Sequence, residues 1–160
     1  MLEFCQWLDQ TSVGAAIRQS LWLFPAIETV HLLGMAALVG TITVLDLRLL
    51  GWAMPRQRVS QVAARLLPWA WLGFGVQVVT GTLLFSSEAV KIYGNPAFRL
   101  KMLLLLCAGI QALTFQIVVH RRLPAWDERP SLPFIAKVMG MISILLWVSI
   151  VTAGRFIGFV

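Results

Sequence analysis

Four long stretches of this chain carry almost no charge, and they limit what it can fold into more than any other feature. Crossing about 30 Å of hydrocarbon takes roughly 20 apolar residues in a helix. Four segments reach or approach that length, at about 21–47, 66–87, 98–120 and 134–158. Hydrophobic residues make up 59% of the 160 and charged ones 12%, where a soluble domain has roughly a quarter charged. No barrel-type alternation of apolar and polar residues runs through the segments. The expectation is an all-α fold: one transmembrane domain over 1–160, an integral up-down four-helix bundle with short connections.

The breaks between the spans are chemically distinct. The first holds Pro55, Arg56, Arg58 and Arg65; the second holds Tyr93-Gly94-Asn95-Pro96, a turn leading into a helix start. The third holds His120, Arg121, Arg122, Pro124, Pro130 and Pro133. Cations then set the orientation. Eight of them (Arg48, Arg56, Arg58, Arg65, Arg121, Arg122, Arg129 and Lys137) fall on the side of the first and third connections, against five on the other (Arg18, Lys91, Arg99, Lys101 and Arg155). The positive-inside rule places the Arg-rich connections in the cytoplasm and both termini outside. The net charge of +6 is thus a topology signal, and nucleic acid is not expected as a partner. Trp52, Trp69, Trp71 and Trp126 fall at the inner boundary and Trp22 at the outer one, as an aromatic belt would place them.

The first twenty residues lack the basic start and unbroken apolar core of a signal peptide, since Glu3 and Asp9 interrupt it. Leu2, Phe4, Trp7 and Leu8 fit one side of a short interfacial helix, with a frayed lead-in as the alternative. Cys5 and Cys107 are far apart in sequence, and no disulfide or CxxC site is expected.

Ionisable side chains inside a bilayer are costly, so they face partners, water or a functional site. Counting from Leu21 at about 1.5 Å per residue, Glu28 lies about 10 Å deep and His31 about 15 Å deep. Arg155, Lys101 and Arg99 fall near the same outer surface, and Glu88 ends the second span there. Glu28, His31 and Met35 share a helix face, and E-x-x-H is a spacing that offers a carboxylate and an imidazole to one metal. The motif occurs once, and no matching carboxylates stand on the other spans, so a di-metal centre is not expected. The structural alternative pairs Glu28 with Arg155 or Lys101 and hydrogen-bonds His31 to a neighbouring helix. His120 differs from His31 in depth by more than about 10 Å, too far for both to hold one iron.

Asp46 and Arg48, in LDLRLLG, read as an interfacial ion pair or carbonyl cap. Gln77, Thr80, Thr82, Gln111, Thr114 and Gln116 can join helices by hydrogen bonds, and Ala36-x-x-x-Gly40 and Gly154-x-x-x-Gly158 allow close approach. No G-x-S-x-G, H-E-x-x-H or P-loop is present to suggest an enzyme with its own nucleophile.

The string LFPAIETVHLLGMAALVGTITVLDLRLLG, with NPAFRLKMLLLL opening the third span and VTAGRF closing the fourth, resembles a family of uncharacterised bacterial four-span inner-membrane proteins. More distantly, a first-span histidine and a lysine opening a later span resemble the CopD/HemJ superfamily, which includes copper-resistance membrane proteins and a haem-dependent protoporphyrinogen oxidase. His31 matches that histidine and Lys101 that lysine. HemJ-type proteins carry a further histidine about three turns on, where this chain has Gln111 and Gln116.

Three functions follow as expectations. The first is a haem b-binding redox or electron-transfer protein. His31 would be an axial ligand, the second ligand would be Met102, Lys101 or nothing, and Arg155, Lys101 or Arg99 would meet the propionates. The second is a metal-ion or proton-handling accessory protein using Glu28 and His31. The third is a structural subunit of a larger membrane complex or homo-oligomer, its polar cluster satisfied internally.

Overall fold

The computed structural model describes residues 2–119, 123–127 and 132–159. His120, Arg121, Arg122 and Arg129 of the third connection lie outside the described residues, as do the side chains of Leu2 and Phe4. Among the described residues the fold is helix and loop, with no strand. Two short helices, α1 (Leu2–Asp9) and α2 (Ser12–Gln19), precede the first long one. The four long helices are α3 (Leu23–Leu50), α4 (Val59–Ser87), α6 (Pro96–Thr114) and α8 (Phe134–Phe156), with α5 (Ala89–Gly94) before α6 and α7 (Leu123–Asp127) after it. A π-helical turn, Phe115–Val119, continues α6. All four are long and apolar enough to cross a membrane, and the chain is a multi-pass membrane protein. Both chain ends and α5 lie at one end, the termini side; α7 and the α3–α4 connection lie at the other, the loop side.

Local chemistry sets the helix ends. Thr11 accepts a hydrogen bond from the Gly14 amide and starts α2. Asn95 accepts from the Ala97 and Phe98 amides ahead of Pro96 and starts α6. Gly51, at φ +84°, ends α3 in the left-handed conformation that glycine adopts without strain. The start of α4 is capped from elsewhere: Asp127, on α7, accepts the Val59 amide at 2.7 Å and the Ser60 amide at 3.4 Å, and also takes the Ser60 hydroxyl. α4 begins seven residues ahead of its expected apolar start. A helix needs satisfied amides, not apolar side chains, and the Asp127 cap lets it extend through Arg65, which stays exposed.

α3 and α4 pack most closely, because glycines remove the side chains between them. A methyl at Gly73 would lie 3.0 Å from the Leu38 backbone amide, and one at Gly34 would lie 2.6 Å from Val76 Cγ1. α8 meets α3 through Gly140, and α6 lies on the other side of α8. α6 meets α4 through large side chains, with the rings of Phe85 and Phe98 stacked at 5.3 Å. At the loop side a compact core joins Leu45, Leu49, Val62, Leu123, Trp126 and Ala136. Trp126 is therefore a core residue and not part of the belt, while Trp22, Trp52, Trp69 and Trp71 are exposed. Leu33, Leu103, Leu106 and Leu145 face outward, as lipid contact requires.

The N-terminal helices pack on the bundle instead of lying apart on a surface. Ile17 is buried, Gly14 sits on the Ser86 carbonyl, and Arg18 donates to the Ser87 carbonyl at 3.0 Å, where a cation suits the C-terminal end of α4. Trp7 remains exposed.

Candidate functional site

The polar residues of the four spans separate into those that bond across helices and those that bond within their own. Thr82 and Thr114 donate back to the carbonyls four residues earlier, and Gln116 is exposed. Gln77, Thr80 and Gln111 bridge. Gln111 donates to the Met139 carbonyl of α8 at 2.8 Å, while Gln77 donates to the His31 carbonyl and Thr80 meets the His31 ring. Two of the three bridges thus converge on His31. It lies eight residues into α3, about 12 Å from the termini-side end of that helix.

The hydrogen bonds determine which ring nitrogen carries the proton. Thr80 Oγ1 lies 2.6 Å from the Val76 carbonyl and 2.8 Å from His31 Nδ1. The carbonyl can only accept, so the single hydroxyl proton goes to Val76. Thr80 Oγ1 must then accept from His31, which places the ring proton on Nδ1. Nε2 is left with its lone pair and has no hydrogen-bond partner among the described residues. Gly81 makes room for the ring: a methyl there would lie 3.4 Å from His31 Cε1. A histidine that donates one N–H to a fixed acceptor and leaves the other nitrogen open has the arrangement of a metal-ligating imidazole.

Lys101 comes to the same region from α6, five residues and about 8 Å from its start. It is half-buried, and its chain runs over α8 at Gly154, where a methyl would lie 3.3 Å from Nζ. Among the described residues it has no ion pair and no hydrogen-bond partner. His31 and Lys101 therefore lie at similar depth, with a glycine behind each.

The remaining expected residues lie around this pair, not in it. Glu28 is exposed and forms no ion pair with Arg155 or Lys101. Among the described residues the ion pair formed is Glu88–Lys91 at 3.4 Å. Arg155 is exposed over the Phe159 ring at 5.3 Å, and Arg99 is exposed over Tyr93 at 5.5 Å. The Met102 side chain is exposed, away from Lys101's place in the interior. No group of three or more His, Cys, Asp or Glu side chains gathers among the described residues. Asp46 and Arg48 do not pair either: Arg48 donates to the Gln57 carbonyl through Nε at 3.0 Å and Nη2 at 2.6 Å, while Asp46 is buried against α8. Gly154 serves the approach of Lys101, whereas Gly40 opens on empty space.

A family model covers residues 4–160 of the chain. The chain belongs to DUF6644, a family of unknown function. No curated protein and no solved structure matches this DUF6644 chain. What it does must therefore be argued from its own residues.

Proposed function

We propose that this DUF6644 protein carries haem b at the His31–Lys101 cluster and passes electrons within a bacterial inner membrane. The observation that carries the reading is a pair of nitrogen donors at similar depth on α3 and α6, two helices that both pack on α8. One is oriented by Thr80 so that Nε2 is open, and the other is an amine without a counter-charge. His31 and Lys101 would hold the haem iron through their nitrogen atoms. The exposed side chain of Met102 argues against it as the opposite ligand. Arg99 and Arg155, on the termini side and free of carboxylate partners among the described residues, suit the propionates. The donor set suits the group, and Gly81 and Gly154 let the His31 ring and the Lys101 amine lie close against α4 and α8. Bound haem would supply a one-electron couple. The chain's own contribution is to orient the imidazole, to hold the amine opposite and to exclude water. The resemblance to the CopD/HemJ superfamily at these same two positions supports the reading. The excess of cations on the loop side supports termini outside and loops in the cytoplasm.

The test is a reduced-minus-oxidised absorption spectrum of detergent-purified protein expressed with haem supplied. A Soret band is expected in the wild type, lost in H31A and altered in position in K101M. A folded wild type with no Soret band would refute the proposal and leave the cluster a packing device.

A further inference from the structure

Asp46 plays no part in the cluster above and stands at the other end of α3, four residues and about 6 Å from its loop-side end. It is 5% exposed. Among the described residues its surroundings contain no compensating charge. Arg48 is committed to the Gln57 carbonyl. On the packed neighbours, Arg65 of α4 and Lys137 of α8 are exposed to the outside, and Asp127 of α7 is engaged at the start of α4. α6 offers Gln111 here, which is bonded to the Met139 carbonyl. Ser143 of α8 stands beside the Asp46 carboxyl, and Oδ2 has no hydrogen-bond partner among the described residues. One turn before Ser143, Gly140 lets α8 close on the Asp46 carbonyl: a methyl there would lie 3.0 Å from that oxygen.

A carboxylate in this place would be a buried charge with no cation beside it among the described residues, which costs several kcal/mol. An orphan acid oxygen is usually explained by a water or a metal ion. Neither fits here, because Oδ2 is sealed from a sphere the size of a water molecule. A proton is the cation that needs no room. We infer that Asp46 is a proton-binding site: its carboxyl holds a proton between α3 and α8 and exchanges it with water on the loop side. Loss of that proton leaves a bare carboxylate that must draw in water, so the α3–α8 contact at Gly140 and Ser143 loosens as the site empties. The inference is independent of haem.

The experiment is infrared spectroscopy of the full chain in lipid vesicles as pH is raised. The wild type is expected to show the carbonyl stretch of a protonated carboxyl at neutral pH, shifted in D₂O and lost on alkalinisation. D46N should lose the band entirely. Labelling the aspartate side-chain carbon of the wild type should shift it, a control that needs no variant; the chain's aspartates are Asp9, Asp46 and Asp127. In parallel, the protection of amides 140–143 in α8, taken relative to the intrinsic base-catalysed exchange rate at each pH, should fall across the same pH range in the wild type and stay constant in D46N. A wild type without the band at neutral pH, a band that ignores the aspartate label, or one that persists in D46N would overturn the assignment. Protection in α8 that stays constant over that range in the wild type, or falls equally in D46N, would overturn the loosening.

Discussion

Replacing Thr80 by valine tests the centre of the site directly. Valine matches the shape of threonine, and Thr80 is 7% exposed, so the change removes a hydroxyl without opening a cavity. The Val76 carbonyl is an ordinary helix acceptor and loses little. The cost falls on His31 Nδ1–H, whose 2.8 Å acceptor disappears. A donor orphaned in a half-buried place costs about 1–3 kcal/mol. The ring can avoid part of that cost by moving its proton to Nε2, but this blocks the nitrogen proposed to bind iron. Removing the partner that orients a ligating histidine typically costs 10–100-fold in affinity, or about 1.4–2.7 kcal/mol. Two measurements on one preparation separate the effects: thermal unfolding in detergent and a haem titration followed by the Soret band. T80V should lose on both, and T80S, which keeps the hydroxyl, should retain most of each. If T80V unfolds like the wild type, within about 0.5 kcal/mol, Thr80 does not hold the ring and the tautomer argument fails. That result would stand whether or not haem binds.

Other consequences are open to the same assays. D127A removes the acceptor of the fully buried Val59 amide and should destabilise by about 2 kcal/mol, from lost capping and an orphaned donor; D127N should recover part of it, as read by denaturant unfolding in detergent. G73A should cost about 1–3 kcal/mol, because the new methyl meets Leu38 backbone that cannot move aside. G34A, whose methyl meets the Val76 side chain, should cost less, and G75A, which opens on empty space, should be neutral or slightly stabilising. G81L should displace the His31 ring while G81A is tolerated, read as loss or retention of the Soret band. A cysteine placed at position 57 should label from the cytoplasmic side of sealed vesicles if the termini lie outside.

Much of the architecture was legible because lipid leaves few alternatives. An apolar run long enough to cross, between arginine-rich and proline-rich breaks, has to be a helix. Its limits were less legible. The start of α4 depends on Asp127, and no local pattern around Val59 announces a cap supplied from α7. His31 and Lys101 stood out as ionisable groups in apolar sequence, and the structure sets both at similar depth within the spans. Glu28 stood out by the same rule yet is exposed, because three residues along a helix is a rotation of about 300°, enough to carry a side chain off the packed face. Thr80 was legible only as a polar residue able to bridge. The glycines that admit the ring and the amine, Gly81 and Gly154, gave no sign of which neighbour each would receive. Asp46 was misjudged because Arg48, two residues away, looked like its partner; residues two apart point to different sides of a helix.

The cap on α4 also bears on how the molecule is made. Asp127 lies 68 residues after the amide it holds, and α6 crosses the membrane between them. During synthesis the second span must therefore enter the bilayer with its first amides still bonded to water. That helix end is completed only after the third span has been threaded and α7 has returned to the starting side. Ribosome-bound chains truncated before α7 should accordingly show a frayed beginning to their second crossing.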